Sequence, residues 1–191
     1  MKNYFNLFER NRAWAAAMRE ADPEYFLKRS VHQEPHFLFI GCCDSRVPAE
    51  SLTGAIPGEM FTHRNIANQV HPNDLNMMST LEYAVEALDV KHVIVCGHYG
   101  CGGVRAAMGG ATLKLTDHWL YNVRELQRQH ADELHAIGDA EAREDRLVEL
   151  NVLASVRHLA RSPVIQECWA EGDRPILHGL CTYGFTGRAL L

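Results

Sequence analysis

The apolar positions of this chain alternate between short continuous runs and long stripes. Four runs predict strands. Phe37-Leu38-Phe39-Ile40-Gly41 carries a strand over 36–41, apolar almost throughout, as a strand buried on both faces should be. A second strand falls at 59–63, a third at 92–97 and a last one over Ile176-Leu177-His178-Gly179-Leu180-Cys181. Between them the spacing turns helical. Tyr4, Leu7, Phe8, Ala15 and Met18 stripe a helix over 3–20, and Asp22-Pro23 opens a short second helix to about Arg29. Met78, Leu81, Val85 and Leu88 stripe a helix over 74–89, with Asp74 as its cap. Gly102-Gly103 leads a helix to Met108 that Gly109-Gly110 ends. Long amphipathic helices follow at 117–135 and 143–160, the second lined by Val148, Val152, Val156 and Leu159. Ser162-Pro163 to Gly172 is framed as a helix by a cap, a proline at the first position and a final glycine. Strands alternating with helices predict an α/β fold, a mainly parallel central β-sheet flanked by helices. Sites in such folds form beyond the carboxyl ends of the strands.

Composition narrows the reading. The 191 residues form one domain, 1–191, with no repeat and no flexible linker, and residues 1–30 make an N-terminal helical arm. A net charge of −5 argues against a nucleic-acid partner. No apolar stretch approaches the roughly 18 residues of a membrane span, and the first residues lack a secretory core. Six cysteines in a chain this long do not read as a disulfide framework, so a reducing cytoplasm is the expected setting.

Two of those cysteines carry the chemistry. Cys42-Cys43-Asp44-Ser45-Arg46 follows the first strand, and His98-Tyr99-Gly100-Cys101 follows the third. Adjacent parallel strands would bring Cys42, His98 and Cys101 together. Two thiolates and one imidazole suit zinc and leave a coordination position over, the mark of a catalytic rather than a structural site. On an extended chain Cys42 and Asp44 point one way and Cys43 the other, which makes Cys43 a packing residue. Two thiolates neutralise the ion, so bound water should ionise less readily than the ~7 of a three-histidine site, and activity should rise above neutral pH. Asp44 either orients that water or fills the fourth position itself and closes the site. Arg46 has the planar fork to hold the carboxylate off the metal.

These motifs resemble the β-class carbonic anhydrases. The family's Cys-x-Asp-Ser-Arg lies at 42–46 and its His-x-x-Cys-Gly-Gly at 98–103. Pro57-Gly58-Glu59-Met60-Phe61, Arg64-Asn65-Ile66-Ala67-Asn68, Glu82-Tyr83-Ala84-Val85 and Leu177-His178-Gly179 agree as well. The resemblance implies one Zn²⁺ per chain on Cys42, His98 and Cys101, with Asp44 and Arg46 as a dyad that gates or orients the fourth ligand. It implies reversible hydration of carbon dioxide to bicarbonate and a proton by zinc-bound hydroxide. It implies a carbon dioxide pocket at Gln33, Phe61, Ile66 and Tyr83; backbone N–H groups at Gly102 and Gly103, at a helix start, are expected to stabilise developing negative charge there. It implies a homodimer or homotetramer whose N-terminal helices embrace a partner subunit. A branch of the family binds regulatory bicarbonate at positions matching Gly41, Val47 and Arg64, but usually carries Trp where this chain has Phe39. The rival readings are a carbon disulfide or carbonyl sulfide hydrolase on the same scaffold, a non-catalytic zinc domain closed by Asp44, and a thiol redox protein using Cys42 and Cys43.

Overall fold

The computed structural model describes residues 4–109, 114–172 and 174–184. The chain divides into two compact units, 1–33 and 34–191. The first holds α1 (Phe5–Ala21) and α2 (Tyr25–Ser30). Trp14 meets Tyr25 and Phe26 edge-on, and Arg19 and Arg29 lie over Phe26 and Tyr25. Neither helix buries a residue, and Tyr4, Phe5, Leu7, Phe8, Trp14 and Leu27 are all exposed.

The second unit is built on four parallel strands: β1 (Phe37–Cys42), β2 (Met60–Asn65), β3 (His92–His98) and β4 (Ile176–Thr182), in the order β2-β1-β3-β4. β1 is central, with Phe37 opposite both Met60 and His92. Its alternate side chains feed two apolar clusters. Leu38 and Ile40 join Val93 and Val95 in the larger, while Phe39 joins Ile94, Cys96 and Ala49 in the smaller. Burial on both faces explains the continuous apolar runs. Every strand begins and ends within two residues of its predicted bounds.

The helices depart more. A short α3 (Ala49–Thr53), ended by Gly54 at φ 73°, lies where no helix is predicted. The segment predicted as 74–89 is α4 (Leu75–Glu82), capped by Asp74, followed by a wider π turn over Tyr83–Ala87. α5 spans Gly102–Gly109. The predicted helix 117–135 is three pieces, α6 (Lys114–Trp119), α7 (Tyr121–Gln129) and α8 (Ala131–Ala136). They break at Leu120 and His130, where neither glycine nor proline announces it. Leu120 is fully buried, so packing rather than local propensity sets that break. α9 (Ala140–Ala160) lies on β3 and β4, and α10 (Pro163–Glu171) follows a Ser162 cap. Gly97 and Gly179 make the seat for α9: an added Cβ would lie 2.6 Å and 3.0 Å from Val152 methyls.

Candidate metal centre

β1 delivers Cys42 and β3 delivers His98 to the same end of the sheet, and the turn before α5 returns Cys101 beside them. Their donor atoms lie within 4.8 Å of one another, and all three residues are buried. The two sulfurs are 3.9 Å apart. Two Zn–S bonds of about 2.3 Å at a tetrahedral angle put sulfurs about 3.8 Å apart, so the spacing fits zinc without rearrangement.

The imidazole completes the fit. His98 Nδ1 lies 3.2 Å from the carbonyl of Tyr99, which a carbonyl can only accept, so the ring proton belongs on Nδ1. The lone pair is then on Nε2, which is buried with no hydrogen-bond partner. A buried orphan of this kind costs free energy unless something binds it. The thiols are prepared as well. Their shared hydrogen bond brings Cys42 down to about 4, helped by the backbone N–H groups of Asp44 and Ala67. The same bond, with burial, pushes Cys101 above the ordinary thiol range, while the N–H groups of Gly103 and Val104 pull the other way. The donor set and its spacing therefore fit a zinc ion.

Asp44 stands beside this group but not in it. Arg46 Nε donates to Oδ1 at 2.9 Å and its terminal nitrogen to Oδ2 at 2.6 Å, a bidentate fork that holds the carboxyl well below the usual carboxylate range. Asp44 Oδ2 is 3.9 Å from His98 Nε2. Arg64 pegs the turn from β2, donating to the carbonyls of Cys42 at 2.8 Å, Asp44 at 2.6 Å and Val47 at 3.4 Å. Gly41 and Val47 are buried, and an added Cβ at Gly41 would sit 2.6 Å from the Phe39 ring.

The remaining predicted residues divide. Phe61 is half-buried and its ring centroid lies 5.8 Å from that of Tyr83, which is 51% exposed. Ile66 is 39% exposed and abuts Gly103, where an added Cβ would lie 2.8 Å from its methyl. The Gly103 N–H already serves Cys101. Gln33 is exposed and belongs to the 1–33 unit. Cys43 is not a packing residue: it is exposed, and its N–H continues the ladder to the Asn65 carbonyl at 3.0 Å.

Several residues escape the motif reading. Tyr99 donates to Glu149 at 2.9 Å, tying the metal turn to α9, and Asp145 accepts from the Gly100 N–H. Asn151, buried among the valines of α9, donates to the Ala67 carbonyl at 2.7 Å. The signal for it was present: Asn151 lies with Val148 and Val152 on a buried face, and a buried amide must find a partner.

Comparison with known proteins points one way. A family model described as carbonic anhydrase matches residues 37–188. A carbonic anhydrase of Emericella nidulans is 50% identical over 173 residues, covering 91% of this chain and 76% of that protein. A structure titled as one of two tetrameric β-carbonic anhydrases from Sordaria macrospora superposes with a TM-score of 0.92 at 39% identity, covering 98% of this chain and 95% of that one. The β-carbonic anhydrase of Coccomyxa, solved with acetazolamide, gives 0.90 at 41% identity, covering 97% and 84%.

Proposed function

We propose, since this chain belongs to the β-carbonic anhydrase family, that it interconverts carbon dioxide and bicarbonate at a zinc held by Cys42, His98 and Cys101. The observation that carries the reading is the partnerless Nε2 of His98, buried beside two sulfurs at zinc-like separation. Zinc, when bound, supplies a Lewis-acidic position that makes water nucleophilic. The chain's own groups do the rest. Asp44 accepts a hydrogen bond from the water and so directs its lone pair at carbon. Arg46 keeps Asp44 ionised and occupied, which supports an open fourth position over a centre closed by Asp44. Phe61, Ile66 and Tyr83 supply the pocket for a substrate with few polar handles. The Gly102 N–H, at the start of α5, faces the charge that develops on oxygen.

Arg64 is read as the peg of the Cys42–Val47 turn, because three carbonyls take its donors. Bicarbonate then acts as simple product, and cooperative inhibition by bicarbonate would restore a regulatory site at Gly41, Val47 and Arg64. The exposed aromatic face of α1 and the tetrameric Sordaria structures support a homo-oligomer clasped by the arm 1–30. No helix among the described residues is long and apolar enough to cross a membrane, and we place the protein in the cytoplasm. Stopped-flow hydration of carbon dioxide tests the whole. Zinc-dependent turnover is expected; turnover only on carbon disulfide or carbonyl sulfide, or on nothing, overturns it.

A further inference from the structure

One peptide in the metal turn sets the tautomer of His98. His98 Nδ1 lies 3.2 Å from the Tyr99 carbonyl oxygen, and while that bond holds, the lone pair stays on Nε2, the buried nitrogen without a partner. The local backbone does not lock this peptide. Gly100 follows it with φ 66°, and nothing stands within 4 Å of where a Cβ would be. A glycine lets the adjoining peptide swing at little cost. The same peptide lies between His98 and Cys101, so a swing disturbs both.

Tyr99 is instead held from outside the turn. Its N–H donates to the Thr182 carbonyl at 2.9 Å, and its ring packs on Tyr183, centroids 4.4 Å apart. Its hydroxyl donates to Glu149 Oε1, from α9, at 2.9 Å. With N–H and ring both fixed, the tetrahedral Cα fixes where the carbonyl carbon leaves. The bond from His98 then takes up the last freedom, ψ. Glu149 is itself braced. Arg146 Nη1 donates to its Oε2 at 2.7 Å, and Arg146 Nε donates to Glu133 Oε1, from α8, at 2.6 Å. One carboxylate oxygen is tied to a guanidinium and the other is kept for the phenol, both bonds charge-assisted.

We infer that Glu149 is a positioning residue of the metal centre: by holding the Tyr99 ring it fixes the Tyr99 carbonyl that accepts from His98 Nδ1, and so keeps the lone pair on Nε2 for the metal. The inference rests on the zinc reading above. Glu149 touches neither metal nor substrate and acts through Tyr99.

The test compares wild type with Tyr99→Phe, Glu149→Ala, the double variant and, as a control for helix damage, Val156→Ala, which sits on α9 against Gly179. Two quantities are read on each: zinc affinity by chelator competition, and proton exchange in the Co²⁺-substituted protein. A cobalt-bound imidazole gives one strongly shifted, exchangeable N–H proton signal, here that of His98 Nδ1, and its rate of loss in D₂O is measured. Tyr99→Phe and Glu149→Ala should each speed that loss about 3- to 10-fold, the worth of one net hydrogen bond, and lower zinc affinity about 10-fold. The double variant should be no faster than either single one, because the two groups make one bond. Val156→Ala should keep the wild-type rate. Wild-type exchange in both single variants overturns the inference even where affinity falls, since affinity alone also falls when a fold is merely weakened. Additive acceleration in the double variant, equal acceleration in Val156→Ala, or a cobalt form of the wild type without that signal overturns it too. A wild type that binds neither zinc nor cobalt instead overturns the proposed function.

Discussion

Gly97 stands next to His98 and has no room for a methyl group. An added Cβ would lie 2.6 Å from Val152 Cγ2, 3.1 Å from Val148 Cγ1 and 3.6 Å from Cys181 Sγ. Ordinary carbon contacts begin near about 3.5 Å, so Gly97→Ala forces a separation of about 0.9 Å between β3 and α9. Val152 cannot swing aside freely, because one χ1 rotamer dominates for valine in a helix. Overpacking of this size costs about 1–3 kcal/mol. In a chain of this length that lowers the melting temperature by about 2–12 °C. The shift also reaches the metal group, since α9 anchors the turn through Tyr99–Glu149 and the strand carries His98. Urea denaturation and zinc content, measured together, check it. Val152→Ala in the same chain should restore part of the loss, with a coupling of about 0.5–3 kcal/mol. Wild-type stability in Gly97→Ala, or strictly additive effects in the double variant, would refute the seat described for α9.

Two further outcomes follow from the site and the core. Asp44→Asn should keep zinc and lose about 10²- to 10⁴-fold in carbon dioxide turnover, because the amide still pairs poorly with Arg46 and no longer accepts as a carboxylate. Near wild-type turnover would leave the dyad without a role. His63 and His71 are buried, and burial pulls both below their ordinary value of 6.5. The unfolded chain therefore binds these protons more readily than the fold does. The stability they permit is complete above 6.5 and is lost as pH falls through their lower folded values. Melting temperature should drop as pH falls below about 6.5, and His71→Gln should flatten the curve. Parallel curves for the two proteins would refute that assignment.

The sheet and the ligands were legible because both are written locally. Phe37–Ile40 and Val93–Cys96 are apolar at every position, and each run stops where polar chemistry begins. Cys42, His98 and Cys101 stand at those stops, and topology brings them together. What sequence hid was imposed from elsewhere in the fold. Nothing local breaks the chain at Leu120 or His130. Ala67, at φ 64°, has no reason of its own to be left-handed; Asn151, more than eighty residues on, and Trp119 hold it there. Alternation gave Cys43 the packing role, but past the end of β1 its side is open to solvent. The resemblance marked Arg64 as part of an anion site, and sequence alone did not show its contacts to the carbonyls of Cys42 and Asp44.

The central claim is a zinc ion held by two sulfurs and one imidazole. X-ray absorption at the zinc edge of the purified protein tests it most directly. The account predicts one zinc per chain with two sulfur neighbours at about 2.3 Å and the rest of the shell nitrogen and oxygen near about 2.0 Å. A shell with four sulfurs, with none, or a protein that carries no zinc would contradict it.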